Sequence, residues 1–364
     1  MAIRRHPKPQ TGPVHGSGHY VRQIIKCLDQ VHAVSGYHAH QIFDDWTQLV
    51  EACLTALPAH LTSMAQTGRL AADTPETKQL FARIRSRYDQ QPYRSNAASV
   101  WSLFSQAFAL LLESAEPGLW GPNSYGNPSA LRGTGVEVGS MGPDVIGQVY
   151  LLYATPNLAR GQIFTPWNLA LLLGRLNIPD GERQVLDRLK QACQHPDNVL
   201  AQAALLAGLA ITDPDQAREW FFTRVLPLAR TTYQPIRVGD PAGCGSGVLL
   251  LAAAACFPEW AVRLGYVVFE GVDVDPGCVR FSKINCMLYS LNGYALKLET
   301  AAAEALAAHR LRSGDSAPAL PPAPAEAIRQ VYRNGRAAPP GDGSSFEAMF
   351  RAAVGRAPAV AEAA

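Results

Sequence analysis

Val238-Gly239-Asp240-Pro241-Ala242-Gly243-Cys244-Gly245-Ser246-Gly247 directly follows the β-type run Ile236-Arg237-Val238 and directly precedes the apolar run Val248 to Cys256. Glycines at such a strand-to-helix turn let the backbone approach a ligand, and the free N–H groups at the start of the helix favour a nucleotide-like one. The spacing Gly243-x-Gly245-x-Gly247 is not the G-x-G-x-x-G of a dinucleotide site, and no Lys-Ser/Thr follows as a phosphate-binding loop requires, which makes NAD and ATP second choices. A second β-type run, Tyr266-Val267-Val268-Phe269, leads into Glu270-Gly271-Val272-Asp273-Val274-Asp275-Pro276. In a doubly wound fold an acidic residue at the end of this strand lies across from the glycines and accepts hydrogen bonds from ribose hydroxyls, and Asp273 is the candidate. Asp275-Pro276 reads instead as the cap of a helix through Val279, Phe281, Ile284 and Leu288. A third β-type run covers Tyr294 to Leu298, and strands alternating with helices predict an α/β fold with a parallel, doubly wound, Rossmann-like sheet.

The rest of the chain bounds this reading. With 364 residues, 48% of them apolar, there is enough material to bury two cores of ordinary size. Lys plus Arg (32) nearly cancels Asp plus Glu (30), so contact with nucleic acid would have to come from local patches. Seven scattered cysteines without a C-x-x-C pair argue against a disulfide framework or a zinc ribbon and suit a reducing cytoplasm. No leader-like or membrane-spanning apolar run occurs, so a cytoplasmic protein without membrane contact is expected. His38-x-His40 lacks an accompanying Cys or carboxylate pattern, and no metal site is assigned. Cys244 has no evident His partner, which favours a small packed residue over a nucleophile.

Five segments are expected. Residues 1–18 form a basic arm, and 19–115 a helical domain in which Ile42, Phe43, Trp46, Leu49, Val50, Cys53, Leu54 and Leu57 make one apolar face. Residues 116–143 are a Gly/Pro-rich linker, 144–312 the ligand-binding α/β domain, and 313–364 an Ala/Pro-rich, mostly disordered tail. Within the α/β domain, residues 182–208 and 215–229 read as two inserted helices, for which packing is favoured over a partner surface.

Arg160-Gly161-Gln162-Ile163-Phe164-Thr165-Pro166 resembles the G-Q-F/Y-F/Y-T-P motif that opens the N6-adenine DNA methyltransferases, including the methylation subunit of type I restriction–modification systems. In that family a D-P-x-C-G-S-G motif and then an acidic-x-D-P motif follow, and this chain has all three in that order. Asp144-Val145-Ile146-Gly147-Gln148-Val149-Tyr150 resembles the family's lead-in helix, and Asn285 to Gly293 resembles its N-L-x-L-x-G stretch. The resemblance implies an S-adenosylmethionine-dependent methyltransferase fold with a complete or partial sheet, and S-adenosylmethionine as cofactor. By that resemblance Phe164, Thr165 and Pro166 close over the methionine end, Asp240, Pro241, Ala242, Gly243, Gly245, Ser246 and Gly247 line the cofactor, Asp273 and Val274 hold its nucleoside, and Glu299 reaches its adenine. DNA is the implied partner, with a specificity subunit or a second methylase subunit beside it.

Two departures qualify the implied activity. The family's N/D/S-P-P-aromatic motif accepts hydrogen bonds from the target amine and stacks on the flipped base. Here the two Pro-Pro pairs are preceded by Leu320 and Ala338 and followed by Ala323 and Gly341, so no catalytic residue is assigned. The loop is also one residue longer between Asp240 and Gly245 than the family form, which bears on the contact Asp240 would make. Two functions therefore stand side by side: an adenine methyltransferase whose catalytic segment is divergent or supplied by a partner, and a non-catalytic cofactor- or DNA-binding relative of a restriction or mobile-element system.

Overall fold

The computed structural model describes residues 17–67, 70–89, 99–121, 124–127, 142–154 and 164–294. The arm before residue 17, residues 160–163 of the R-G-Q-I-F-T-P segment, the third β-type run beyond Tyr294, Glu299 and the tail from 313 lie outside the described residues.

Helix α1 (Ser17–Ser35) packs against α4 (Val100–Ser114), and α2 (Ala39–Thr67) lies beside it. Every residue of the apolar face expected on α2, from Ile42 to Leu57, is buried, because a spacing of three and four puts them on one side of a 3.6-residue helix. Helix α3 (Pro75–Asp89) starts with proline in its first turn and docks on α2 through buried Asp45, which takes Arg87 and the Tyr88 hydroxyl. Helix α5 (Val145–Tyr153) is capped by Asp144 and packs on α1.

His60, also on α2, is buried with its Nε2 3.9 Å from an Asp73 carboxylate oxygen. Burial pushes its imidazole down from 6.5 to about 4. The unfolded chain therefore takes up a proton that the fold refuses. Stability is full above the ordinary histidine range and falls as pH drops toward about 4, by up to about 3 kcal/mol. Urea midpoints measured across this window should fall less steeply for His60→Gln than for the wild type; equal slopes would remove His60 from the account of acid sensitivity.

The expectation of a doubly wound, Rossmann-like sheet is overturned. Of the described residues 67% are helical, and the sheet among them has two strands. These are β1 (Ile236–Asp240) and β2 (Val267–Gly271), parallel, with Ile236 opposite Val267 and Asp240 opposite Gly271. Parallel strands need a crossover, here α11 (Val248–Ala254) and α12 (Glu259–Arg263), whose positions in the chain follow the helices described next. On the side of β2 away from β1, a side chain pairs with the backbone of Phe269. Asn292 accepts from the Phe269 N–H at 2.7 Å through Oδ1 and donates to the Phe269 carbonyl at 2.7 Å through Nδ2. Asn292 sits at a positive φ of 55°, a backbone setting that asparagine tolerates better than most residues.

Between α5 and β1 the described chain is helical. Helix α6 (Trp167–Asn177) packs on α11, and α7 (Gly181–Cys193) follows from an Asp180 cap. The single helix expected over 182–208 is broken, since Pro196 cannot donate to a helical ladder and Asn198 caps the new helix α8 (Val199–Gly208). Asp213 and Pro214 then start α9 (Pro214–Trp220), which passes through a π-helical turn (Phe221–Val225) into α10 (Leu226–Ala229). Phe221 and Phe222 meet Trp260 edge-on at 5.9 and 5.8 Å, so the inserted helices are packed on α12 at the entrance to β2.

Helix α13 (Pro276–Leu288) begins at Asp275, whose Oδ1 accepts from the Gly277 N–H at 2.8 Å, with Pro276 in the first turn. It lies along α2. Phe281 meets Phe43 at 5.3 Å, and Arg280 pairs with Asp44 at 2.6 Å and with Glu51 at 3.5 Å. One connected set of buried apolar side chains runs from Val21 to Tyr294, joining the N-terminal helices to the strand pair.

Candidate functional site

The loop after β1 is built by its glycines. Gly243, Gly245 and Gly247 all have positive φ, of 125°, 52° and 84°, which L side chains rarely adopt. At Gly247 a Cβ would stand 2.6 Å from Ser282 Oγ, and at Gly245 it would stand 3.0 Å from the Phe164 ring. Gly247→Ala should therefore destabilise the chain by about 1–3 kcal/mol from the backbone setting alone, with the Ser282 clash in addition. A urea midpoint equal to that of the wild type would contradict the loop geometry.

Hydrogen bonds tie the loop to the end of β2. The Val272 N–H donates to the Asp240 carbonyl at 3.1 Å and the Cys244 N–H to the Val272 carbonyl at 2.9 Å. Asp273 takes the Gly245 N–H on Oδ2 at 2.9 Å and the Asp275 N–H on Oδ1 at 2.9 Å. Its carboxylate is only partly buried, so acceptor positions remain open to a ligand. Val272 and Val274, on either side of it, are 63% and 98% exposed, an apolar pair on the rim. Asp240 leaves Oδ2 buried without a hydrogen-bond partner, a cost that a donor reaching the loop would relieve.

Four of the sequence-assigned segments meet here. Phe164 stacks on Tyr150 of α5 at 5.7 Å with 26° between the rings and lies against Gly245. Thr165 is partly buried and Pro166 is exposed ahead of α6. Pro241, Ala242 and Gly243 are exposed, Gly245 is partly buried, and Ser246 and Gly247 are buried. Asp273 and Val274 follow β2, where Asp273 bonds to the loop, and Glu299 lies outside the described residues.

A buried network behind the loop was not assigned from sequence. The Ser246 hydroxyl donates to Asp144 Oδ2. Asn285 Nδ2 donates to Asp144 Oδ1 at 2.8 Å and to the Ser246 carbonyl at 2.9 Å, and the Gly147 N–H donates to Asp144 Oδ1 at 2.9 Å. Burial pushes the Asp144 carboxyl above the usual range, and these three donors pull it back only in part. The available signal was Asn285 itself, a polar residue on the apolar face that Phe281, Ile284 and Leu288 define on α13.

Cysteine chemistry is disfavoured at this site. Burial pushes the Cys244 thiol up, and Cys278 and Cys286 are pushed to about 12, so no thiolate is ready to attack. Among the described residues no group of three or more His, Cys, Asp or Glu is placed to hold a metal, and no helix is long and apolar enough to cross a membrane. No protein-family model, curated protein or solved structure matches the chain.

Proposed function

We propose that the chain binds S-adenosylmethionine at the 240–247 loop and acts in the manner of an N6-adenine DNA methyltransferase or as one component of such an enzyme. The observation that carries this reading is the convergence of Phe164, Gly245 and Asp273: the phenyl ring meets the glycine, and the glycine N–H donates to the carboxylate. Asp273 offers acceptors to the ribose hydroxyls, Val272 and Val274 offer apolar surface to the adenine, and the loop backbone and Phe164 flank the methionine end. Asp240, partly buried at the start of the loop, offers a carboxylate to the ligand's amino group.

One observation favours a second reading, binding without catalysis. Neither Pro-Pro pair of the chain has the polar residue before it or the ring after it that would accept hydrogen bonds from an adenine amine and stack on the base. Incubation of the full chain with tritium-labelled S-adenosylmethionine and adenine-rich DNA, followed by nucleoside analysis, separates the two. Label on adenine N6 supports a complete enzyme; bound cofactor without transfer supports the binding protein or a component whose catalytic segment a partner supplies; neither binding nor transfer sinks all of these. On either reading a specificity subunit or a second methylase subunit is the expected partner and the cytoplasm the expected location.

A further inference from the structure

We propose that Asp144 is a positioning residue that presets the glycine loop for its ligand, acting through Ser246 and Asn285. The proposal takes the ligand to be S-adenosylmethionine, and so rests on the reading above, but its structural half concerns the loop alone. Asp144 stands at the junction of three elements: it caps α5, holds the hydroxyl of Ser246 at the end of the loop, and holds the carboxamide of Asn285 on α13. Asn285 also holds the Ser246 carbonyl, so Ser246 is gripped at both its side chain and its backbone. The partners are 102 and 141 residues apart in the chain, which makes the grip a tertiary one that local turn chemistry cannot supply.

Two features argue for positioning over plain core stability. The carboxylate is buried, and its three hydrogen-bond donors are all neutral, so it incurs desolvation without the compensation of an opposite charge. The Asn285 Oδ1 is buried without a partner, a further cost that an apolar pair of the same size would avoid. What such a network provides is one defined arrangement, and the arrangement it defines is that of Ser246. The two neighbouring loop amides are those of Gly245, which donates to Asp273, and of Gly247, which donates to the Cys244 carbonyl at 2.7 Å.

Asp144→Ala, Asp144→Asn and Ser246→Ala in the full chain test this by two readouts, amide hydrogen exchange without ligand and titration with S-adenosylmethionine. Asparagine keeps an acceptor for Gly147 and Asn285 and can donate to the Ser246 oxygen, so it should rescue what alanine loses. The expected result is faster exchange confined to residues 244–247 in Asp144→Ala and Ser246→Ala, near-wild-type exchange in Asp144→Asn, and affinity weakened about tenfold in the two alanine variants. Unchanged exchange in the loop, or a uniform rise over the whole core, overturns the proposal whatever the titration gives. Should the wild type fail to bind S-adenosylmethionine while the loop exchange behaves as expected, the cofactor assignment falls and the positioning role stands. Ser246→Ala removes one hydroxyl and keeps the test decisive if Asp144→Ala does not fold.

Discussion

Asp273→Ala is expected to weaken S-adenosylmethionine binding by about 100-fold or more while leaving the chain folded. The carboxylate has two duties that alanine cannot perform. It holds the Gly245 and Asp275 N–H groups, at 2.9 Å each, and it presents the acceptors that the ribose hydroxyls need. Loss of the first loosens the loop, and loss of the second leaves ligand hydroxyls unpaired inside the site. Asp273→Asn, which keeps one acceptor oxygen, should fall between the alanine variant and the wild type. Equilibrium dialysis with labelled cofactor measures the affinities, and circular dichroism confirms the fold. Wild-type affinity in the alanine variant would mean that the nucleoside lies elsewhere.

Phe43→Ala should cost about 3–5 kcal/mol in urea unfolding, the range for removing a fully buried aromatic ring. Phe43 touches Trp46 on its own helix at 5.9 Å, Tyr150 on α5 at 5.7 Å and Phe281 on α13 at 5.3 Å. It thus joins the N-terminal helices to both elements behind the glycine loop. Because Tyr150 also stacks on Phe164, the cavity should be felt at the ligand site as a weaker titration. A loss below about 1 kcal/mol, the scale of a surface change, would show that the helical layer and the strand pair are not one core.

The sequence was most informative where the signal is local. The apolar spacing of Ile42 to Leu57 placed a whole helix face correctly, and the glycine loop was read between the two elements that flank it. Asp275-Pro276 was legible as a cap because a polar acceptor followed by proline satisfies a helix start in only a few ways. The sheet was overread for a related reason. Of the three β-type runs, the first two form the strand pair and the third lies beyond Tyr294, outside the described residues; a strand–helix–strand unit specifies its own crossover but not how many strands flank it, and nothing local in Asn292 announces that its carboxamide will pair with Phe269. The long helix drawn through Pro196 overlooked a residue without an N–H to give. Asp144 and Ser246 were each visible as motif members, but a hydrogen bond between residues 102 positions apart leaves no periodicity to find.

Calorimetric titration of the full wild-type chain with S-adenosylmethionine shows whether the glycine loop holds this cofactor. Binding at one site per chain is expected, with a dissociation constant on the order of micromolar. A folded chain that gives no binding heat at several temperatures and does not retain labelled cofactor in dialysis would contradict it, and the loop of Gly243, Gly245 and Gly247 would then be architecture without its ligand.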